Sequence, residues 1–209
     1  AAGVGIKVIG RGGHGSRPDM SVNPVFCAAS ILTNTATAWV NQITAGRTVT
    51  LGVTSIQGGE APNVIPDTAD ILGSLRFFND EEGEKAVRIF KNVAEHTAAM
   101  NNCQVQFDDR FCVLCVPVIN DEYYSNLISA ALPEVLLENV TVSSCEPWYA
   151  SESFSCYRRI CPSVLAHLGI NNPSYGSGAA HHNGFFDVDE GVLSTGVIAT
   201  LKFVAMLQK

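Results

Sequence analysis

Residues 48–78 read TVTLGVTSIQGGEAPNVIPDTADILGSLRFF, and this stretch decides the fold. Its two ends, residues 48–56 and 69–78, are rich in β-branched and apolar side chains, which favour extended strands. Between them, residues 57–63 contain two glycines, a proline and an asparagine, the residue types that form turns. The stretch therefore predicts two consecutive strands joined by a broad loop.

The segments that flank this strand pair follow the same plan on both sides. Upstream, residues 3–9 alternate as a strand does, and residues 21–45 carry apolar side chains at helical spacing. Downstream, Asn79 is suited to cap a second helix, and residues 103–107 return to strand alternation. The order β-α-β-β-α-β over residues 3–108 predicts a split βαβ sandwich, with one antiparallel four-stranded sheet and two helices on a single face.

The remaining half of the chain shows a different alternation. We predict helices at 121–137, 153–160 and 190–207 and strands at 140–144 and 163–169. Helices that alternate with strands are typical of an α/β domain, but two short strands do not make a stable sheet. We therefore expect residues 1–109 to form one α+β domain and residues 110–209 to be a segment of a larger α/β domain.

The overall charge argues against one class of partner. Thirteen Lys and Arg residues stand against twenty Asp and Glu residues, so the net charge is −7, and no basic run is interleaved with aromatic residues. Nucleic-acid-binding surfaces need a basic patch, so we do not expect nucleic acid as a partner. Hydrophobic residues make up 46% of the 209 residues, which is enough for a sizeable core.

The cysteines and the longest apolar stretch bear on location. Seven cysteines, an odd number, and the lack of a signal-peptide pattern favour a reducing cytoplasm. Residues 192–207 are interrupted by Ser194, Gly196 and Lys202 and fall short of the roughly 20 residues of a membrane span. We therefore expect a buried helix there and no membrane partner. Because the chain begins at Ala1 and not at methionine, we expect a processed product or a fragment.

Cys112 and Cys115 have the spacing of half a zinc knuckle. The two residues between them are apolar, and no second Cys or His pair follows at the spacing of a zinc finger. Free buried thiols are the favoured interpretation, because an unpaired cysteine behaves as a small hydrophobic residue.

A glycine-rich loop follows the first strand, and residues 10–15 match the pattern G-x-G-x-x-G of dinucleotide-binding folds. In those folds the motif opens a helix directly, and an acidic residue follows about 20 positions later. Here residues 16–19 delay the helix, and no Asp or Glu occurs from Met20 through Gly59. A nicotinamide site is therefore disfavoured.

Two loops carry the candidate catalytic histidines. His14 lies between glycines that leave its ring free to reach outward, although a loop histidine without a role is the alternative. His181 and His182 are adjacent in a predicted extended loop, where neighbouring side chains point in opposite directions. We expect only one of those two to face a given ligand.

Further polar residues have two possible roles each. These residues are Asn63, Arg76, Asp187, Asp189 and Glu190. Asn63 and Arg76 belong to the strand region, where a turn residue and a surface charge are the simple alternatives to binding. The three acidic residues stand where the last helix begins, so capping of free N–H groups is favoured over metal ligation.

Four motifs, taken in order, resemble one family. They are residues 10–19 with 23–25, residues 59–67 with 73–76, residues 150–154, and residues 182–190. The chain resembles the dinuclear metallo-amidohydrolases related to aminoacylase, hippurate hydrolase, plant auxin-conjugate hydrolases and glutamate carboxypeptidases. Its Gly-Gly-His-Gly and Ser-Glu-x-Phe variants are most similar to the aminoacylase and hippurate branch, and the resemblance covers almost the whole chain.

The resemblance implies an α/β catalytic domain that holds two divalent metal ions, Zn, Mn or Co, and is interrupted by a βαββαβ lid that forms a homodimer. It implies that His14 of the lid donates to the scissile carbonyl, usually in the neighbouring subunit's active site. Asn63, Arg76 and Glu152 are then substrate-binding residues, and His182 is a metal ligand. The implied substrates are N-acyl amino acids or small peptide-like molecules.

Two departures from the family pattern matter. Ser153 stands where the family usually has Asp, and Gly184 stands where it often has Pro. In the family, the other metal ligands and the general-base Glu lie upstream of the lid, in segments that this sequence does not contain. We therefore expect the chain alone to be inactive, and the alternative function is a non-catalytic dimerisation or ligand-binding module.

Overall fold

Residues 1–109, 111, 115–136 and 140–208 are described by a computed structural model of the chain. Contacts divide it into two compact units. The first consists of Ala1–Val118 with Tyr149–Cys156, and the second of Ile119–Trp148 with Tyr157–Lys209. The domain boundary expected between residues 109 and 110 stays a prediction, and Arg110 lies outside the described residues.

The regular elements are concentrated in the first unit. The strands are β1 (Ala2–Ile9), β2 (Gly13–His14), β3 (Val49–Gln57), β4 (Val64–Ile65), β5 (Thr68–Phe77) and β6 (Gln104–Phe107). The helices are α1 (Pro24–Gln42), α2 (Asp80–Met100), α3 (Glu122–Ala131) and α4 (Leu193–Leu207). Four strands form one antiparallel sheet in the order β3-β5-β1-β6. Because α1 connects β1 to β3 and α2 connects β5 to β6, the predicted split βαβ fold is confirmed.

The core of the first unit lies between this sheet and its two helices. Alternate side chains of the central strands turn towards the helices, and the register pairs buried Ile6 with buried Ile71. The cluster includes Ile31 of α1 and Phe90 of α2, both fully buried. Burying each such side chain contributes about 1.5–3 kcal/mol, so this cluster dominates the stability of the unit.

Local signals fix where the two core helices begin. Asn23 precedes Pro24 and accepts a hydrogen bond from the backbone N–H of Val25 at 2.9 Å. Asn79 accepts one from the N–H of Glu82 at 3.0 Å, so the predicted cap is confirmed. A Cβ at Gly83 would lie 2.6 Å from ring carbons of Phe77, so a glycine is needed for α2 to approach β5 this closely.

The outward faces of these two helices differ in charge. None of the 19 residues of α1 is charged, and its Phe26 and Val40 are 73% and 85% exposed. In contrast, α2 places Glu84 and Arg88 on its exposed surface. A charged outer face is typical of a helix in water, so the uncharged and partly apolar outer face of α1 is unusual for an exposed helix.

The second unit contains helices and loops. No strand lies within 119–136, 140–148 or 157–208, so the two strands predicted in this half are wrong for this structure. An extended segment counts as a strand only when a neighbour pairs with it, and none does here. The helix predicted over 121–137 ends as α3 at Ala131, and a 3-10 turn containing Pro133 follows; Leu137 lies outside the described residues.

The helix α4 is not buried, contrary to the sequence prediction. It packs on the rest of its unit through Phe203, whose ring is 6.3 Å from that of Tyr124, and through Lys202, whose Nζ is 2.7 Å from Glu134. Leu193 and Leu201 are 52% and 64% exposed. By length and composition alone, Glu190–Leu207 is also apolar enough to cross a membrane.

Candidate functional site

A short strand pair holds the loop that carries His14. In this pair, β2 lies antiparallel to β4, with Gly13 opposite Ile65 and His14 opposite Val64. The backbone N–H of Gly15 donates to the carbonyl oxygen of Asn63 at 2.8 Å. The structure thus brings together His14 and Asn63, two exposed residues that are 49 positions apart in the sequence.

Asp67 anchors the same loop to the sheet, and sequence reasoning assigned it no role. Its carbonyl oxygen accepts from the N–H of Gly10, and its carboxylate oxygen Oδ1 accepts from the N–H of Gly12, both at 2.8 Å. A Cβ at Gly12 would lie 2.8 Å from the carbonyl oxygen of Ile65, so a larger residue does not fit. The sequence feature that could have revealed this role is an acidic residue directly before β5, where its carboxylate can accept hydrogen bonds from backbone N–H groups.

Arg76 lies towards the opposite end of β5. Its neighbours Leu75 and Phe77 are buried in the core, so Arg76 projects from the face of the sheet that carries no helix. It follows Asp67 by nine residues, up to about 30 Å of strand at roughly 3.3 Å per residue. Within the described part of the chain, no carboxylate pairs with its guanidinium, so the group is available for an anion.

The segment with Glu152 is held at the Arg76 end of the sheet. Tyr149 lies edge-on to Phe78, two residues beyond Arg76, with the ring centroids 4.8 Å apart. Glu152 is exposed, and its carbonyl oxygen accepts from the N–H of Ser155 at 3.1 Å as a 3-10 turn begins. This places Glu152 in the first unit with the other predicted substrate-binding residues.

The loop with His182 belongs to the second unit and is closed at its base. The side-chain nitrogen of Asn172 donates to Oδ2 of Asp189 at 2.7 Å, and the hydroxyl of Ser177 donates to the carbonyl oxygen of Ile170 at 2.9 Å. The other oxygen of Asp189 accepts from the N–H of Gly191 at 2.9 Å. The capping role expected for Asp189 is thus confirmed, and the same carboxylate also closes the loop.

The two adjacent histidines differ in their surroundings. The ring of His181 lies edge-on to Trp148 and to Phe186, with centroids 5.2 Å away in both cases. The ring of His182 is exposed and has no hydrogen-bond or ring partner among the described residues. Its backbone φ is 62°, in the left-handed region that few non-glycine residues adopt. Aromatic packing therefore occupies His181 and leaves the imidazole of His182 free.

The described residues do not by themselves hold a dinuclear metal centre. Among residues 1–109, 111, 115–136 and 140–208, no group of three or more His, Cys, Asp and Glu side chains could bind an ion. His182 supplies one nitrogen, which is too few for either implied metal. Cys112 lies outside the described residues, so the zinc alternative at Cys112 and Cys115 stays a prediction.

Comparison with known families identifies the first half of the chain. The family profile described as the peptidase dimerisation domain matches residues 1–101. Residues 1–101 are thus similar to a peptidase dimerisation domain. The matched residues contain three of the four strands of the sheet, both core helices, and the predicted residues His14, Asn63 and Arg76.

Curated relatives extend the similarity beyond the dimerisation domain. Thermostable carboxypeptidase 2 of Saccharolobus solfataricus is 28% identical over 198 residues, which are 93% of this chain and 48% of that protein. N-acetylcysteine deacetylase of Bacillus subtilis is 28% identical over 189 residues, which are 90% of this chain and 47% of that protein. The chain spans about half the length of the curated relatives it matches.

A solved structure shows the same fold. The Bacillus subtilis YXEP protein, a dinuclear metal-binding peptidase of the M20 family, matches with a TM-score of 0.71 at 21% identity. The match covers 99% of this chain and 50% of that one, so it extends past the dimerisation domain. The profile match and the relatives named carboxypeptidase and deacetylase agree with the family that the sequence motifs resemble.

Proposed function

We propose that these residues are the lid and the C-terminal catalytic segment of a metal-dependent amidohydrolase. The proposed substrates are N-acyl amino acids or small peptide-like molecules, in which the scissile amide lies next to a free carboxylate. The dimerisation domain and the similarity to a carboxypeptidase and a deacetylase support this function. The observation that carries it is the pairing of β2 with β4, which brings the exposed residues His14 and Asn63 together from two separate loops.

The residue types fit the charges that develop in amide hydrolysis. Attack on the carbonyl carbon moves negative charge to the carbonyl oxygen, where preorganised donors stabilise the transition state. The ring N–H of His14 and the side-chain amide of Asn63 are such donors, and each accounts for about 10²–10³ in rate when it acts there. Arg76 supplies a planar fork of N–H groups for the substrate carboxylate, and Glu152 completes the proposed binding set.

The separation of these groups indicates a site shared between two subunits. His14 and Asn63 lie at the β2–β4 end of the sheet, whereas Arg76 lies towards the other end of β5. A small N-acyl amino acid does not span the length of a ten-residue strand. We therefore propose that His14 and Asn63 of one subunit act with Arg76 of its partner in a homodimer.

The surface of α1 supports the same homodimer. Its outward side chains include Phe26 and Val40, and the helix contains no charge that burial would leave unpaired. On the far side of β5, the sheet ends in β3, whose outer edge has no strand partner among the described residues. Exposed apolar surface and an open strand edge are both features that a symmetric dimer covers.

We propose a limited role for His182. It supplies one ligand to a site that holds two divalent ions, which are Zn, Mn or Co. The described residues do not complete that site, so we assign no reaction step to a metal. Its free imidazole and its closed loop support the role, because a ligand must be both unoccupied and held in place.

A second function is favoured for a polypeptide limited to these residues. The lack of a three-ligand group in the described part of the chain fits a non-catalytic dimerisation or ligand-binding module. Metal analysis separates the two functions. The enzyme assembled with its remaining half should contain close to two metal ions per His182, and the module should contain none.

Hybrid dimers test the shared site. In the complete enzyme, His14→Ala and His182→Ala are each expected to be nearly inactive as homodimers. Random exchange makes half of the dimers hybrids, each with one intact site of two, so the mixture should recover about a quarter of wild-type turnover. If the subunits exchange and no activity returns, His14 does not act across the dimer.

We further propose that the protein works in a reducing compartment such as the cytoplasm. All six described cysteines are unpaired, and Cys145, Cys156 and Cys161 are exposed. Exposed free thiols are oxidised in secretory compartments, which supports a reducing environment.

A further inference from the structure

Ser16 contacts the ring of His14 with two different groups. Its backbone N–H donates to Nδ1 of His14 at 3.2 Å, and its hydroxyl oxygen lies 2.8 Å from the same nitrogen. A backbone N–H is always a donor, so Nδ1 must present its lone pair to it. The neutral imidazole then carries its one ring proton on Nε2.

The other tautomer is disfavoured by the same geometry. An Nδ1–H could donate to the Ser16 hydroxyl, which rotates to accept or donate as its neighbour requires. It would also face the backbone N–H of Ser16, so that two protons would lie between one pair of nitrogens. The backbone N–H of Ser16 therefore decides the tautomer, and the hydroxyl strengthens the choice by donating as well.

The position of Ser16 is fixed by the backbone of the loop. The N–H of Arg17 donates to the carbonyl oxygen of His14 at 2.8 Å, which closes a turn with Ser16 at its third residue. On the other side, a Cβ at Gly15 would lie only 3.1 Å from the carbonyl oxygen of Asn63, so the turn sits tightly on the neighbouring strand. The contact with His14 thus follows from the fold of the loop.

We propose that Ser16 is a positioning residue, which holds the neutral His14 ring as the Nε2–H tautomer and so aims a donor at the substrate carbonyl. The ring is exposed, and within the described part of the chain no residue accepts from Nε2. The inference rests on the proposed function of His14 as a donor. In the opposite tautomer, Nε2 would present a lone pair to an oxygen that is becoming negative, and the two would repel.

Nuclear magnetic resonance tests the tautomer directly in the 209-residue chain. With ¹⁵N-labelled histidine and His14→Ala for assignment, two-bond correlation spectra under conditions where the ring is neutral show which nitrogen is protonated. We expect Nε2–H in the wild type, and Ser16→Ala should raise the Nδ1–H population by about two- to tenfold, the effect of one hydrogen bond. Ser16→Thr should restore the wild-type spectrum.

The matched control is Ser21→Ala. The Ser21 hydroxyl donates to the carbonyl oxygen of Pro18 at 2.9 Å in the same loop and has no hydrogen bond to the His14 ring. Its removal should leave the tautomer unchanged. A wild-type ring dominated by Nδ1–H overturns the proposal. A Ser16→Ala spectrum identical to that of the wild type overturns the contribution of the Ser16 hydroxyl and leaves the backbone N–H as the group that fixes the tautomer.

Turnover in the complete enzyme distinguishes this proposal from the function on which it rests. Ser16→Ala should lower kcat in proportion to the Nε2–H population that the spectra record, by about threefold at most, with KM unchanged, and it should cost nothing further in a His14→Ala background. An equal loss in both backgrounds overturns the positioning role. If His14→Ala leaves turnover intact while the tautomer responds to Ser16→Ala, the donor function fails and the tautomer assignment stands.

Discussion

The two compact units of this chain differ in how completely they bury their apolar residues. The first has a sheet, two helices and a continuous core around Ile31, Ile71 and Phe90. In the described part of the second, only Ala131 and Ser177 are buried, and α4 has no buried residue at all. The first unit therefore has a core of its own, whereas the second has the exposed apolar surface that is typical of a segment covered by further protein.

The largest effect is expected from breaking the core that only the first unit has. Phe90→Ala should lower the free energy of unfolding by about 3–5 kcal/mol, because it leaves a cavity in a fully packed cluster. Phe185→Ala in the second unit should change it by less than about 0.5 kcal/mol, since Phe185 is 85% exposed.

The chain carries suitable probes for this measurement, because each unit contains one of its two tryptophans, Trp39 and Trp148. Denaturation followed by Trp39 fluorescence in a Trp148→Phe background reports on the first unit, where Phe90→Ala is measured. Trp148 fluorescence in the chain that keeps both tryptophans, after subtraction of the Trp39 signal, reports on the second unit, where Phe185→Ala is measured. An equal loss of stability from the two phenylalanine substitutions would contradict the difference between the units.

The second prediction compares the two histidine loops by the property that an alanine substitution removes from each. In the complete enzyme, His14→Ala should lower turnover by about 10²–10³ and leave the metal content unchanged, because it removes one donor. His182→Ala should reduce the bound metal, because it removes a ligand. Elemental analysis alongside kinetics gives both readouts, and loss of metal in His14→Ala would place that residue in the metal site instead.

The third prediction concerns the one long helix of the first unit whose outer face lacks charge. Phe26→Asp in α1 should weaken the homodimer by roughly 30-fold or more, as expected for a charged group placed in a dimer contact. Met100→Asp in α2 is the matched control, because Phe26 and Met100 are both 73% exposed. Sedimentation should show the control as a dimer and Phe26→Asp shifted towards the 22.3 kDa monomer. Equal behaviour of the two variants would exclude α1 from the interface.

The smallest effect distinguishes the cysteines of the two units. Burial, with the Cys103 thiol beside it, raises the pKa of Cys27 to about 12 from its usual 9.0. Between those values the unfolded chain loses the thiol proton while the folded unit keeps it, so stability falls as pH rises above about 9. Cys27→Ala should flatten this part of the pH dependence, measured again by Trp39 fluorescence. Cys161→Ala, at an exposed position, should leave it unchanged.

The most accurate predictions were those of single helices and strands, for which the signal lies within the element or next to it. Strand alternation in residues 3–9, helical spacing in residues 21–45 and the cap at Asn79 each depend on neighbours in the chain, and all three are confirmed. The sheet order then follows from the few connections that a β-α-β-β-α-β sequence allows. These are local patterns with strong periodicity, which is where sequence reasoning has its power.

The failures concern contacts between distant segments. The two-residue strands β2 and β4 are too short to show any periodicity, so the link from His14 to Asn63 had no signal. Asp67 received no role from the sequence, although its carboxylate anchors the glycine loop. The burial of α4 was predicted wrongly because apolar composition indicates that a helix needs cover, but not whether the cover is in the same chain. The roles of the site residues stay predictions until the variants are measured.

At His182, the left-handed backbone conformation lowers the stability of the fold, while the side chain carries the proposed function. A non-glycine residue at a φ of 62° costs of order 1 kcal/mol, which glycine would not incur. A search for stabilising substitutions would therefore select His182→Gly and remove the only metal ligand that the proposed function assigns to this loop. Engineering for thermal tolerance should exclude this position, because the backbone strain and the proposed metal ligand belong to the same residue.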